Sequence, residues 1–441
     1  MLSGLRARNP LPEGTPAIAI GLGVAGLAQY AFLAIGYRAL GRDAYAALAT
    51  FWSMLFILGP GFFLPLEQEV GRALAERRTR DQGGGPVVRR ALAAGGLLCA
   101  GLLVIMAALS GILANHFFHG EALFVAALGT GLVAYTCVHT TRGTLSGNGR
   151  FSSYGLLLGS EGILRCAGCG LCAVIGSRVA GLFGFALVLA SFVAIPLALS
   201  REHGLLRPGP VASWRVLGNA LGFLLLASVA TYFLLSAGPV VIPLLERSDQ
   251  TAAAGQFLNA RVVAYIPFFL FQAVQAALLP KLAALAASGS IGDFRQVLSR
   301  LLVATAALGI VTIAGAFVLG PLAVRILFGA DSTLGGGDLA LLSLSCAGFM
   351  LATALGQALV SLGRYSSVAL GWVAGALGFG VVTALGSDLF LRVELGLVAG
   401  ATGPAVILGV RLLRALPAMQ PIGSIDEVVA IVLPEIADSV R

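Results

Sequence analysis

Charge is the scarcest resource in this sequence. Only 11% of its 441 residues are Asp, Glu, Lys or Arg, against roughly 25% in a soluble domain, which excludes an ordinary globular core. Lysine is nearly absent: of 28 basic residues only Lys281 is a lysine, a bias that hints at a GC-rich bacterial genome. No polar stretch is long enough for a soluble catalytic domain. No nucleophile–base pair, P-loop or glycine-rich phosphate fingerprint stands out. The sequence therefore argues against an enzyme and calls for no cofactor. Cysteine is sparse too, and all six (Cys99, Cys137, Cys166, Cys169, Cys172, Cys346) fall inside apolar runs. Cys166, Cys169 and Cys172 have a metal-like spacing. On a helix they form a stripe inside a membrane with no second ligand cluster, so they read as small packing residues. His116, His119, His139 and His203 lack metal-like company as well. The net charge of +8 comes from residues scattered among loops, not gathered into a nucleic-acid patch.

Hydrophobicity is what the chain has in excess. Apolar residues make up 58% of it, and the mean hydropathy is +0.94. Runs near the ~20 residues needed to cross a bilayer recur throughout. They predict twelve spans: 15–37, 44–66, 91–113, 122–142, 154–176, 181–200, 216–238, 255–279, 301–320, 338–361, 366–386 and 393–414. Runs this long and without alternation fit helices, not a barrel. The expected fold is an all-α polytopic membrane protein. The first 14 residues, with Pro10 and Pro12 before the first span, read as the lead of an uncleaved signal anchor.

Arginine sets the expected orientation. With the N-terminus in the cytoplasm, the inner loops and both tails hold 20 basic residues and the outer loops six, while Arg165 and Arg261 stay within spans. That asymmetry places both termini in the cytoplasm. The most charged loop, 67–90, carries Leu66, Val70 and Leu74 at every fourth position. The second span should therefore continue as an amphipathic helix until Gly83-Gly84-Gly85-Pro86 breaks it. Two uses stand open for it: docking a membrane-bound partner, or lying on anionic headgroups of membrane lipids.

The chain repeats itself. Gly149-Arg150-Phe151-Ser152-Ser153 returns 214 residues later as Gly363-Arg364-Tyr365-Ser366-Ser367, each between the fourth and fifth span of its half. Pro60-Gly61-Phe62-Phe63 and Pro267-Phe268-Phe269-Leu270 match at an offset of 207. Similar offsets predict two parallel six-helix repeats: a bundle over 1–200, a second over 201–414, and a cytoplasmic tail over 415–441. Parallel repeats are a transporter architecture with the substrate path between them. Glycines within spans, such as Gly21 and Gly375, allow close helix packing.

A charge at bilayer depth costs roughly 2.5–3.5 kcal/mol on insertion scales, so it marks a task. Glu161 and Arg165 lie one turn apart in the fifth span and are either a self-contained ion pair or part of a substrate cavity. In the second case Arg165 meets an anionic substrate, and Glu161 positions it or takes up a proton. Arg261, next to Asn259 in the eighth span, either snorkels to the headgroups or adds a second cavity cation. Together the two arginines would favour phosphate groups. Gln29, Tyr30, Asn219, Gln272 and Gln275 could bond sugars or another helix.

Several stretches carry a family resemblance. These are Leu40-Gly41-Arg42-Asp43-Ala44-Tyr45, Gly59-Pro60-Gly61-Phe62-Phe63-Leu64-Pro65-Leu66-Glu67-Gln68-Glu69, Arg325-Ile326-Leu327-Phe328-Gly329 and the Leu362-Gly363-Arg364 turn. In these the chain resembles, over nearly its whole length, the polysaccharide exporter and flippase family of the multidrug/oligosaccharidyl-lipid/polysaccharide (MOP) superfamily. The resemblance implies a bacterial inner-membrane protein that moves polyprenyl-diphosphate-linked oligosaccharides by alternating access. Its substrate-binding residues here would be Arg165, Arg261, Glu161 and Asn259. Polymerase or glycosyltransferase partners would be expected. Cation-coupled multidrug export and a transport-inactive scaffold for envelope-polymer synthesis are the alternatives. The first span has no acid, which weighs against the drug-exporting branch.

Overall fold

A computed structural model of the chain describes residues 15–211, 221–246, 250–268, 271–272, 282, 285–286, 288–329 and 333–416, and no strand occurs among them. Helices follow one another along the chain: α1 (Thr15–Leu40), α2 (Arg42–Thr79), α3 (Gly85–Ala108), α4 (Leu123–Gly147), α5 (Phe151–Val174) and α6 (Ala180–Leu199), then α7 (Leu221–Leu245), α8 (Ala253–Ala264), α9 (Ile291–Phe328), α10 (Gly336–Ser361), α11 (Tyr365–Leu385) and α12 (Leu389–Ala415). All but α8 are long and apolar enough to cross a membrane, eleven such helices among the described residues. The chain is a multi-pass membrane protein. α8 opens the eighth predicted span. Most of that span's remainder, with Gln275, lies outside the described residues, as do Asn219, Lys281, the first 14 residues and the tail beyond Leu416.

Several helices outrun the apolar runs that predicted them. α9 covers 38 residues, and α4 continues to Gly147, because a helix ends where its hydrogen bonding stops and not where hydropathy falls. The amphipathic continuation of α2 is present as far as Thr79. Its partner differs from both expectations. Leu66, Val70 and Leu74 pack on Val87, Val88 and Ala91 at the start of α3. The apolar stripe is used within the protein, leaving an outer face of Arg72, Glu76 and Arg80 that pair with one another at i, i+4.

The packing repeats with a shift of six helices. α1 lies along α5, α2 along α4, and α6 against α4 and α5; correspondingly α7 lies along α11, α8 along α10, and α12 against α10 and α11. On the α1–α5 seam, a Cβ at Gly21 would come within 2.3 Å of the Gly155 carbonyl oxygen, so only glycine permits that approach. The two GR[FY]SS turns also share one backbone. Gly149 has φ 73 and Gly363 φ 69. Arg150 N–H donates to Leu145 O and Arg364 N–H to Leu359 O, with the glycines donating to Ser146 O and Val360 O. Each is a Schellman helix end with its glycine in the left-handed region. The six-residue hydrogen bond closes the preceding helix as the next begins.

α2 is the main bridge between the halves, running along α7 and against α8. Tyr45 donates to Asn259 Oδ1 at 2.8 Å, and Thr50 to Pro239 O at 3.0 Å. Farther along, Ser228 donates to Pro60 O at 3.2 Å. Near the α1–α2 turn, Arg38 donates to Ile326 O at 3.2 Å, among the last carbonyls of α9.

Candidate functional site

The first half holds a buried network of charges. α4 presents Tyr135, His139 and Arg142 on one stripe, at i, i+4 and i+7. α5 presents Tyr154, Glu161 and Arg165; α2 contributes Glu67 and α6 contributes Ser191. Glu161 is the hub and only 2% exposed. Its Oε1 accepts from Arg165 at 2.6 Å and from Ser191 at 2.5 Å, and its Oε2 accepts from Arg142 at 2.8 Å. Beside it, Glu67 accepts from Tyr154 at 2.9 Å and lies 2.6 Å from His139 Nδ1. An ionised carboxylate only accepts, so the proton belongs on Nδ1. Two carboxylates thus face two guanidiniums and an imidazole. Arg142 Nε, Arg165 Nε and His139 Nε2 have no hydrogen-bond partner among the described residues, but a cluster whose acids are all paired can survive at bilayer depth.

Glu161 and Arg165 therefore sit together, as their spacing predicts, though not as an isolated pair. Arg142 completes them. Counting loops assigns it to the cytoplasmic side, whereas α4 carries it inside, and its side chain is 16% exposed. Removing it from the loop count leaves the arginine asymmetry intact. The Tyr135–His139–Arg142 stripe is the signal that could have revealed it. Glu67 also belongs here and not to a solvated loop.

The second half holds a different arrangement. Arg261 on α8 is 7% exposed, and its guanidinium lies 4.3 Å over the Tyr265 ring. Its Nε and Nη2 have no hydrogen-bond partner among the described residues. Tyr265 is held by Ser345 of α10 at 2.9 Å, and Tyr30 of α1 reaches Val262 O at 3.3 Å. Asn259 stands two residues earlier, on the other side of the helix, and its oxygen is taken by Tyr45. The structure thus places Arg165 with α4–α6, Arg261 with α1, α8 and α10, and Asn259 on the seam with α2.

Glu394 on α12 was not singled out from sequence. It is 0% exposed, and neither carboxylate oxygen has a partner among the described residues. A position six residues into a helix, just after Asp388, reads as a helix end near the membrane surface, which conceals its burial. No group of His, Cys, Asp and Glu suited to a metal occurs among the described residues. Cys166 and Cys169 lie against the Ala28 and Phe32 carbonyls of α1.

No family model matches the sequence. The uncharacterised Mycobacterium tuberculosis protein Rv3630 is 26% identical over 401 residues, covering 88% of this chain and 89% of the relative. A second uncharacterised protein of that organism, Rv1510, is 27% identical over 407 residues, covering 89% and 90%. Solved structures match over 92% of the chain. The inward-facing conformation of a multidrug resistance MATE family transporter of the MOP superfamily aligns with a TM-score of 0.70 at 14% identity, covering all of that chain. Its outward-facing conformation gives 0.65 at 14%, covering 95% of that chain. A MOP superfamily transporter from Pyrococcus furiosus, described as having reversed polarity in its binding pocket, gives 0.65 at 15% and the same coverage. The fold is that of MATE transporters of the MOP superfamily.

Proposed function

We propose that this protein is an alternating-access transporter that flips a polyprenyl-diphosphate-linked oligosaccharide, a precursor of cell-surface polysaccharide, across a bacterial inner membrane. The guanidinium of Arg261, which has no acidic partner among the described residues and two nitrogens without a hydrogen bond there, carries this reading. A buried cation with two free donor nitrogens calls for an anion to complete it, and planar forks suit phosphoryl oxygens. A cationic or neutral drug would leave it unpaired. In this reading the bundles 1–200 and 201–414 rock against each other, with both termini in the cytoplasm. The side bearing the α1–α2 turn then faces outward, where Tyr45–Asn259 and Arg38–Ile326 close the path. Arg165, held by Glu161, offers a second cation when Glu161 is shared differently between Arg142 and Arg165.

The test is leaflet translocation of a fluorescent polyprenyl-diphosphate sugar in proteoliposomes. Arg261→Ala is expected to reduce translocation by about ten- to a hundredfold, the worth of a charge-assisted hydrogen bond, with Arg165→Ala less affected. No translocation by wild type with several glycans would sink the reading. Cation-coupled export of small amphipathic compounds is the second reading, and Glu394 favours it, because a buried carboxyl without donors can hold a proton or a cation. Drug efflux that persists in Arg261→Ala and disappears in Glu394→Gln would shift the conclusion to that reading.

A further inference from the structure

The GR[FY]SS turn of the first half borders a cleft that neither buried centre uses. It has a volume of about 180 Å³, room for about six waters at ~30 Å³ each. Three segments enclose it: the α2–α3 turn, the α4–α5 turn and the stretch after α6. Their backbones are fastened together. Gly85 N–H donates to Arg207 O at 2.9 Å, and Arg77 donates to Gly83 O at 2.9 Å. Gly83 lies so close to Pro208 that a Cβ would meet its carbonyl oxygen at 1.9 Å. The walls are therefore built and do not merely adjoin.

Arg78, Arg150, His203 and Arg207 line this cleft, with Asp81 as its acid. Arg150 is engaged by Glu202 at 3.2 Å. Arg78 and Arg207 have no acidic side chain within ion-pair distance among the described residues, so two guanidiniums face the cleft unneutralised. Arg78 is set across the glycine of the turn, where a Cβ on Gly149 would come within 2.0 Å of its Nη1. Among the described residues the second copy of the turn has no such neighbour, since a Cβ on Gly363 would meet none of their atoms within 4 Å.

We propose that this cleft binds a phosphoryl group, the phosphate of a lipid headgroup or a free phosphate, held between the forks of Arg78 and Arg207. Guanidinium forks match phosphate oxygens in two-pronged geometry. The cleft lies at the ends of three spans, where headgroups are. It shares no residue with the buried centres and does not depend on the transport reading.

The test uses the full chain in neutral detergent, with binding of dioctanoyl phosphatidic acid, dioctanoyl phosphatidylcholine and inorganic pyrophosphate followed by the shift of the thermal unfolding midpoint. Wild type is expected to bind phosphatidic acid, and the Arg78→Gln/Arg207→Gln pair to bind it at least about tenfold more weakly, the worth of one charge-assisted hydrogen bond. Arg364→Gln, which does not line this cleft, should bind like wild type. Binding of pyrophosphate as well identifies the phosphoryl group alone as sufficient. Binding of phosphatidic acid without pyrophosphate assigns the site to lipid headgroups. The proposal is overturned if neither ligand binds, if phosphatidylcholine binds equally well, or if the paired substitution leaves affinity unchanged. Because both arginines are exposed, ligand-free unfolding midpoints of the variants should match wild type.

Discussion

The two halves share a packing scheme but treat buried charge in opposite ways. In the first half Glu161 is bonded by Arg142, Arg165 and Ser191, and Glu67 by Tyr154 and His139. In the second half Arg261 keeps two nitrogens and Glu394 two oxygens without a partner among the described residues. Duplication supplies the scaffold twice without fixing its polar contents. A network in which each carboxylate is bonded ties four helices together; a charge without a partner among the described residues is open to a ligand. In the proposed reading the first half holds shape and the second meets a ligand.

The sharpest way to break this contrast is at the hub. Glu161→Ala would leave two buried guanidiniums facing each other without an acid. Removing one partner of a buried pair costs about 3–5 kcal/mol, so a large fall in the unfolding midpoint in detergent is expected. Arg261→Met removes a cation that has no acidic partner to orphan among the described residues, and its methylene-rich replacement can cover the Tyr265 ring. Its stability should stay within about 1 kcal/mol of wild type. Equal losses in the two variants would show that both charges are structural, and the contrast between the halves would fail.

How much of this was legible in the sequence depends on how far each contact reaches. Hydropathy runs located the spans, and the i, i+4 spacing of Glu161 and Arg165 showed that they meet. The repeated GR[FY]SS motif marked one turn in each half, and the left-handed glycine they share is a local demand at a helix end. Arg142 was missed because loop counting stops where hydropathy drops, while α4 continues beyond it. Asn259 next to Arg261 in sequence suggested one site, yet α8 turns them apart and gives Asn259 to Tyr45, 214 residues away. The periodicity of Leu66, Val70 and Leu74 revealed a face but not which neighbour would cover it. Long-range pairing leaves no mark on local pattern.

The twin turns offer a smaller test of the same contrast. Gly149 and Gly363 both have positive φ, a conformation that costs an L-residue roughly 1–2 kcal/mol. Gly363→Ala should cost that strain alone. Gly149→Ala should add displacement of the exposed, flexible Arg78 side chain at little further cost to the unfolding midpoint, and phosphatidic acid binding should weaken in it alone. Identical behaviour of the two substitutions would mean that Arg78 is not positioned by the turn.

The smallest expected effect lies where the halves touch outside the spans. Glu246, just after α7, stands 3.9 Å from His119 in the α3–α4 connection. Burial pushes the Glu246 carboxyl up to about 7 from its usual 4.5, and burial pushes the His119 imidazole down. A raised carboxyl binds its proton more tightly in the folded state than in the unfolded one. Its stabilising contribution is complete below pH 4.5 and is lost as pH rises through about 7. His119 acts in the opposite direction, its contribution being complete above about 6.5 and lost as pH falls. Glu246→Gln removes only the first effect. Between pH 5 and 7.5 the unfolding midpoint of wild type should therefore fall relative to that of Glu246→Gln, by a degree or two at most for a partly solvated group. Parallel curves would mean that the contact between the halves does not sense the charge of Glu246. A fall toward acid shared by both proteins would belong to His119.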